Sequence, residues 1–234
     1  FKDVLTNFMG TFSGINTNLR EKCLTLKDSI DILKERLDNI EDDKSKEIIT
    51  NTNCTYINLG YIKDNYPTAT GITTSQVRSE NELFVSEIIF SGILENLTPA
   101  QLAGVICAIT TEDLRIDTPH LPISEPVRKT LNLIKNIKRK LEKIQGKYSV
   151  EDPMYINAYF SSLIELWVEG AEWETITEQI DMGEGDIVRA FKRVVDVLRQ
   201  FTTIANVPEA LAFTAREAID KILSKTTFIG AVAL

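Results

Sequence analysis

A row of cations along one stripe of a helix is the clearest chemistry this chain offers. Between Met182 and Val194 a glycine-bracketed acidic turn leads into a helix, with Asp186 placed to cap its start. Ile187, Phe191, Val194, Leu198 and Phe201 recur at helical spacing and read as a buried seam. Arg189, Lys192, Arg193 and Arg199 fall mostly on the other side. A cationic row on a rigid, core-docked helix suits a phosphate-bearing strand. The same pattern describes a solvated face, and spacing alone does not choose between them. A second basic helix runs from Ser124 to Gly146; residues 125–147 hold eight cations against two carboxylates, a local +6 that leaves −14 for the remainder. Val127, Leu131, Ile134, Leu141 and Ile144 form its docking seam, and its outer face is either solvated, a phosphate track or a dock for an acidic protein. A membrane-surface role is disfavoured, because the apolar side is needed for packing and carries no aromatic anchor.

Catalytic constellations are missing from the sequence. The one histidine, His120, sits between prolines in Thr118-Pro-His-Leu-Pro122 and has no partner for a metal site. There is no phosphate-cradling Gly-x-x-x-x-Gly-Lys loop, no Gly-x-Ser-x-Gly elbow and no Cys/His pairing. The adjacent carboxylates Glu112 and Asp113 point to different faces of any helix and read as polar residues at a helix end. The expectation is a piece of protein without catalytic residues, cofactor or metal.

The elements that position these residues are helical throughout. Leu19, Leu26, Ile30, Leu33 and Leu37 mark a long polar helix over 17–40, followed by a charge cluster at Glu41–Lys44 and a mixed stretch, itself helical, to about Gly60. Tyr66–Gly71 reads as a turn-rich loop. Ser79-Glu-Asn-Glu82 and Thr98-Pro-Ala-Gln101 both fit capping boxes before apolar helices. Ser124 opens the long basic helix, Asp152-Pro153 opens one running to Gly170, Glu172–Ile180 is short, Asp186–Ile204 is the amphipathic helix, and Pro208–Lys225 is the last. The fold class is therefore all-α: a multi-helix bundle with a long N-terminal helical segment. Trp167 and Trp173 flank Gly170-Ala171 and read as core packing, with base stacking as the other use.

Composition narrows the partners. The 234 residues carry 26 Lys+Arg against 34 Asp+Glu, a net charge of −8. A free-standing nucleic-acid binder is usually basic, so such a role here is local or shared with parts elsewhere. Cys23, Cys54 and Cys107 are widely spaced and odd in number, which fits a reducing compartment better than a disulfide scaffold. No apolar run is long enough to span a membrane. The chain begins at Phe1, which suggests a piece of a larger protein. Residues 173–180 followed by the basic helix trace a helix-turn-helix outline. The first turn of that second helix holds Glu184, Asp186, Ile187 and Val188, which argues against base reading in duplex DNA.

From about Leu59 onward the chain resembles a known domain. The carrying segments are Leu59-Gly-Tyr-Ile62, Ser79–Leu83 with Glu87–Gly92, Leu97–Ala103, Leu166–Ala171, Glu184–Arg189 with Arg193, and the ending Phe228–Leu234. In that order they are similar to the DSHCT domain, the C-terminal helical domain of superkiller-type and exosome-associated DExH-box RNA helicases. The wording around Asn81 and Glu184 is nearest to the cyanobacterial and plastid branch. The resemblance implies a domain over 59–234, with 1–58 continuing from a preceding helicase module. It implies RecA-like domains in the same polypeptide that bind ATP and magnesium, while this domain closes over the exit of the RNA channel and supports unwinding. It further implies single-stranded RNA as a partner, an RNA-degradation or RNA-processing complex around the parent, and a cytoplasmic or plastid-stromal setting. By the same token Arg193 matches an RNA-holding arginine, Arg189 and Lys192 are its neighbours, and Glu112 falls near an acidic channel-lining position able to accept from bases or 2′-hydroxyls. The loop Arg115–Pro122 departs from the family pattern.

Overall fold

The computed structural model describes residues 17–38, 43–112, 122–179 and 183–224, and divides the chain into two compact units, 1–50 and 51–234. His120, Asp113, Met182 and the ending 228–234 lie outside the described residues. Ten helices and one two-stranded hairpin are present among the described residues. The all-α expectation holds.

In the first unit, α1 spans Thr17–Asp38, and α2 spans Asp43–Asn58 with the division falling inside it. Leu24, Leu26, Ile30, Ile32 and Leu33 of α1 are all exposed. The second unit begins within α2 and continues into the hairpin β1 (Ile62–Lys63) and β2 (Tyr66–Pro67). Asp64 and Asn65 both take positive φ there, the backbone that a tight two-residue hairpin requires. The loop expected at Tyr66 is thus partly strand, and Thr68 then caps a short helix, α3 (Ala69–Thr74), by accepting from the Gly71 N–H at 3.2 Å.

Helix α4 (Glu82–Phe90) starts later than the box at Ser79 suggests. Asn81 is the cap, its Oδ1 accepting from the Phe84 N–H at 2.8 Å. The following box is as expected: Thr98 and Gln101 cap each other reciprocally at the start of α5 (Pro99–Thr110), with Pro99 in the first turn. Leu102 through Ile109 are buried all round, as a central helix must be.

Around α5 pack α6 (Glu125–Lys147), α7 (Ser161–Glu169), α9 (Glu184–Thr203) and α10 (Glu209–Ser224), with the short α8 (Trp173–Thr177) against α7. Helices α5 and α7 meet at Gly104, whose carbonyl accepts from Ser161 Oγ at 2.8 Å. The helix expected from Asp152 is absent until Ser161. Long-range bonds hold residues 152–160 irregular instead: Asn81 Nδ2 donates to the Pro153 carbonyl at 3.3 Å, and the Asn157 N–H donates to the Ala108 carbonyl at 2.8 Å. At the other end α7 stops where expected, on Gly170 at φ 114°, a backbone that only glycine adopts without strain. Trp167 is buried, donates its indole N–H to the Ile222 carbonyl at 3.1 Å and meets Trp173 edge-on.

Glu165 is the one buried carboxylate of α7. It accepts from both the backbone N–H and the hydroxyl of Ser124, so Ser124 spends its hydroxyl across the core rather than on capping its own helix. Desolvation raises the Glu165 pKa above the usual carboxylate value, with the Ser124 hydrogen bonds opposing. Removing the side chain by Glu165→Ala strands these donors and is expected to cost about 1–3 kcal/mol. Because the native pKa is raised, the group favours folding most when protonated, and that advantage is lost as pH rises through the native pKa. Thermal melts of the protein and of Glu165→Gln from pH 7 to 4 should therefore show the unaltered chain gaining relative to the variant as pH falls. A gap independent of pH would refute the assignment.

Candidate nucleic-acid interface

Helix α9 carries the expected seam: Ile187, Phe191, Val194, Leu198 and Phe201 are all buried. That fixes the rotation of the helix, and the stripe of Arg189 and Arg193 is pinned on the opposite side one turn apart. The helix begins at Glu184 with Gly183 as its cap residue, so Asp186 lies inside the first turn. Its carboxylate pairs with Arg189 rather than with free backbone N–H groups.

Arg193 reaches off its helix to the end of α5. Its Nη1 stands 3.3 Å from Glu112 Oε1, and both side chains are about half exposed, at 52% and 49%. Glu112 is held there through its backbone, because Asn157 Nδ2 donates to the Glu112 carbonyl at 2.8 Å. Together Glu112, Arg189, Arg193 and Asp186 line one recess of about 160 Å³, floored by Phe160 and Thr111. Lys192 is exposed but lines no part of it, and no carboxylate pairs with it among the described residues. Three of the four site residues are thus brought together and the fourth stands beside them. Phe160 lines the recess and Asn157 holds Glu112 beside it, and no local sequence signal marks either, since both act through contacts distant in sequence.

What the recess can do follows from its electrostatics. An exposed ion pair contributes about 0–1 kcal/mol, so the Arg193–Glu112 pair opens at little cost to a competing anion. A phosphate on Arg193 leaves the Glu112 carboxylate as an acceptor for a hydroxyl or an amino group beside it. Arg199, on another face, pairs with Asp196 at 3.7 Å. Among the described residues no group of three metal-ligating side chains could hold an ion, and no helix is long and apolar enough to cross a membrane.

The second basic surface is more tied down. On α6, Arg128 and Lys129 pair with Glu125, Lys140 pairs with Glu87 at 3.2 Å, and Lys138 donates to the Met154 carbonyl at 2.6 Å. Lys135 and Lys143 face solvent without a carboxylate partner among the described residues.

The chain is 28% identical over 212 residues, 88% of its length, to the chloroplastic DExH-box ATP-dependent RNA helicase DExH15 of Arabidopsis thaliana, of which it spans 18%. It is 24% identical over 213 residues, 87% of its length, to the ATP-dependent RNA helicase mtr4 of Schizosaccharomyces pombe, of which it spans 19%. It is 22% identical over 140 residues, 58% of its length, to the human exosome RNA helicase MTR4, of which it spans 13%. The chain thus spans under a fifth of the length of the curated relatives it matches. The model of the DSHCT (NUC185) domain matches residues 64–226, the greater part of the sequence, and the chain belongs to that family.

Proposed function

We propose that this chain is a non-catalytic, C-terminal helical domain of an ATP-dependent RNA helicase, and that it contacts single-stranded RNA through Arg193, Arg189 and Glu112 where the strand leaves the channel. The observation that carries the reading is the meeting of Arg193 with Glu112, residues 81 positions apart, around one solvent-open recess. ATP and magnesium belong to RecA-like domains outside this chain. On this reading residues 1–58 continue from the preceding helicase module. The net charge of −8 fits a domain that supplies one local cationic strip while other domains hold most phosphates. One relative is named for the exosome and another for the chloroplast, which supports an RNA-processing complex as the wider partner and the plastid stroma as a setting, with the cytoplasm as the other.

The test is fluorescence anisotropy of a labelled single-stranded RNA at low salt, with duplex DNA as control. Replacing Arg189, Lys192 and Arg193 together by alanine is expected to weaken RNA binding about thirtyfold, most of it from Arg193, and to flatten the log–log salt dependence by about 1.4, for two lost phosphate contacts. Binding by the triple variant at the unaltered affinity and slope would sink the reading. The unpaired Lys135 and Lys143 favour one second reading, a dock for an acidic protein on α6. Loss of such a partner on replacing Lys135, Arg139 and Lys143, with RNA handling intact, would support it.

A further inference from the structure

Arg193 borders two recesses. The second, of about 180 Å³, shares only Arg193 with the one described above, and its walls include Arg78, Tyr155, Phe84, Asp196 and Gln200. Arg193, Val197 and Gln200 follow one another on a single face of α9 over about 10 Å of helix axis. The recess therefore prolongs the Arg189–Arg193 stripe along the same helix.

Its construction is specific. Gln200 clamps the backbone of Arg78 at both ends: the Arg78 N–H donates to Oε1 at 2.6 Å, and Nε2 donates to the Arg78 carbonyl at 2.9 Å. A second glutamine returns the favour, with the Ala205 N–H donating to Gln76 Oε1 at 3.3 Å. The segment before α4 is thereby fixed against α9 by glutamine bonds to its main chain and from it, and the exposed Arg78 side chain is left with no hydrogen bond or ion pair among the described residues. A group whose backbone is already held loses only side-chain freedom when it engages a ligand. The half-buried ring of Tyr155 forms part of the wall. Glu80 and Asp196 also border the space, and Asp196 is already paired with Arg199.

Two guanidiniums, an aromatic wall and flanking carboxylates do not suit a free anion, which the carboxylates would repel. The volume lies below the ~300 Å³ at which pockets for small-molecule ligands begin. One unit of a polymer fits the combination: a phosphate between the cations, a base against the ring and a hydroxyl near a carboxylate. Resting on the function proposed above, we infer that Arg78, Arg193 and Tyr155 form a second nucleotide subsite, which takes the residue of single-stranded RNA adjacent to the one at Glu112.

The experiment uses the 234-residue chain and a labelled oligouridine in the same anisotropy assay, with three single variants. Arg78→Ala should bind three- to tenfold more weakly, with a salt slope lower by about 0.7. Tyr155→Ala should lose roughly tenfold at unchanged slope, because stacking releases no counterion. Tyr155→Phe should keep the affinity, since the ring remains. Thermal melts check that each variant folds, and Arg78→Ala removes no contact that the clamp makes. If Arg78→Ala binds as the unaltered chain does while the Arg189/Lys192/Arg193 variant is weakened, the second subsite is refuted and the first survives. If Arg78→Ala is weakened with an unchanged slope, no phosphate sits there and the subsite is likewise refuted. If the unaltered chain binds no RNA at low salt, both proposals fall. Displacement of the RNA by polyglutamate as readily as by unlabelled RNA would assign the recess to an acidic peptide and overturn the proposal.

Discussion

Arg193→Glu is expected to lower RNA affinity on the order of 100-fold at low salt, against about tenfold for Arg193→Ala. A hydrogen bond to a charged group contributes about 1.5–3 kcal/mol, and the lower end applies to a side chain that is 52% exposed. About 1.4 kcal/mol is tenfold in binding. Reversal removes that attraction and adds a repulsion of similar size, so the log–log salt slope should fall by about 1.4 rather than 0.7. The new carboxylate would also face Glu112, its former partner at 3.3 Å. A swapped variant, Arg193→Glu with Glu112→Arg, rebuilds the ion pair and returns a guanidinium to the rim of the same recess. It should regain at least half of the lost binding free energy. Affinity of Arg193→Glu equal to that of the unaltered chain would remove Arg193 from the interface. Failure of the swap alone would mean that the guanidinium must project from α9.

The second large effect is on folding. Gly104→Val should lower stability by about 4 kcal/mol, read as a fall of roughly 10 °C in Tm. A Cβ at this position would stand 2.9 Å from Glu165 Cγ and 3.4 Å from the Ser161 carbonyl, where α5 and α7 cross. Glycine in a helix interior normally costs up to ~1 kcal/mol relative to alanine, so replacement would ordinarily help. Here the clash outweighs that gain. Relief requires moving Glu165, which would break its bonds to Ser124 and strand buried donors. Gly104→Ala should show the same sign at about half the size. An unchanged melt for Gly104→Val would mean that the α5–α7 crossing is looser than described.

Sequence pattern revealed those parts of the fold whose instructions are local. The reciprocal cap of Thr98 and Gln101, the proline after it and the apolar run to Ile109 specify α5 within a dozen residues. The five-residue seam of α9 fixes which face is buried, and with it the stripe of Arg189 and Arg193. Asn81 and Ser79 are both good cap formers two residues apart, and the choice of Asn81 shows only in its bonds to the Phe84 N–H and the distant Pro153 carbonyl. Residues 152–160 failed as a helix for the same reason, since their partners lie at Asn81 and Ala108. The Arg193–Glu112 pair joins two segments 81 positions apart that periodicity cannot relate; only the likeness to a domain family brought Glu112 forward. Arg78 carried no signal at all, being one cation outside any helix.

The exposed pair of Arg193 and Glu112 bears on motion as well as on binding. An RNA that advances past a site must leave it as readily as it enters. On the function proposed above, a departing phosphate lets the guanidinium fall back on Glu112 and regain about what it gave up, which keeps the free-energy profile along the strand shallow. An arginine with no such fallback would hold each phosphate more firmly and turn the same helix into a brake.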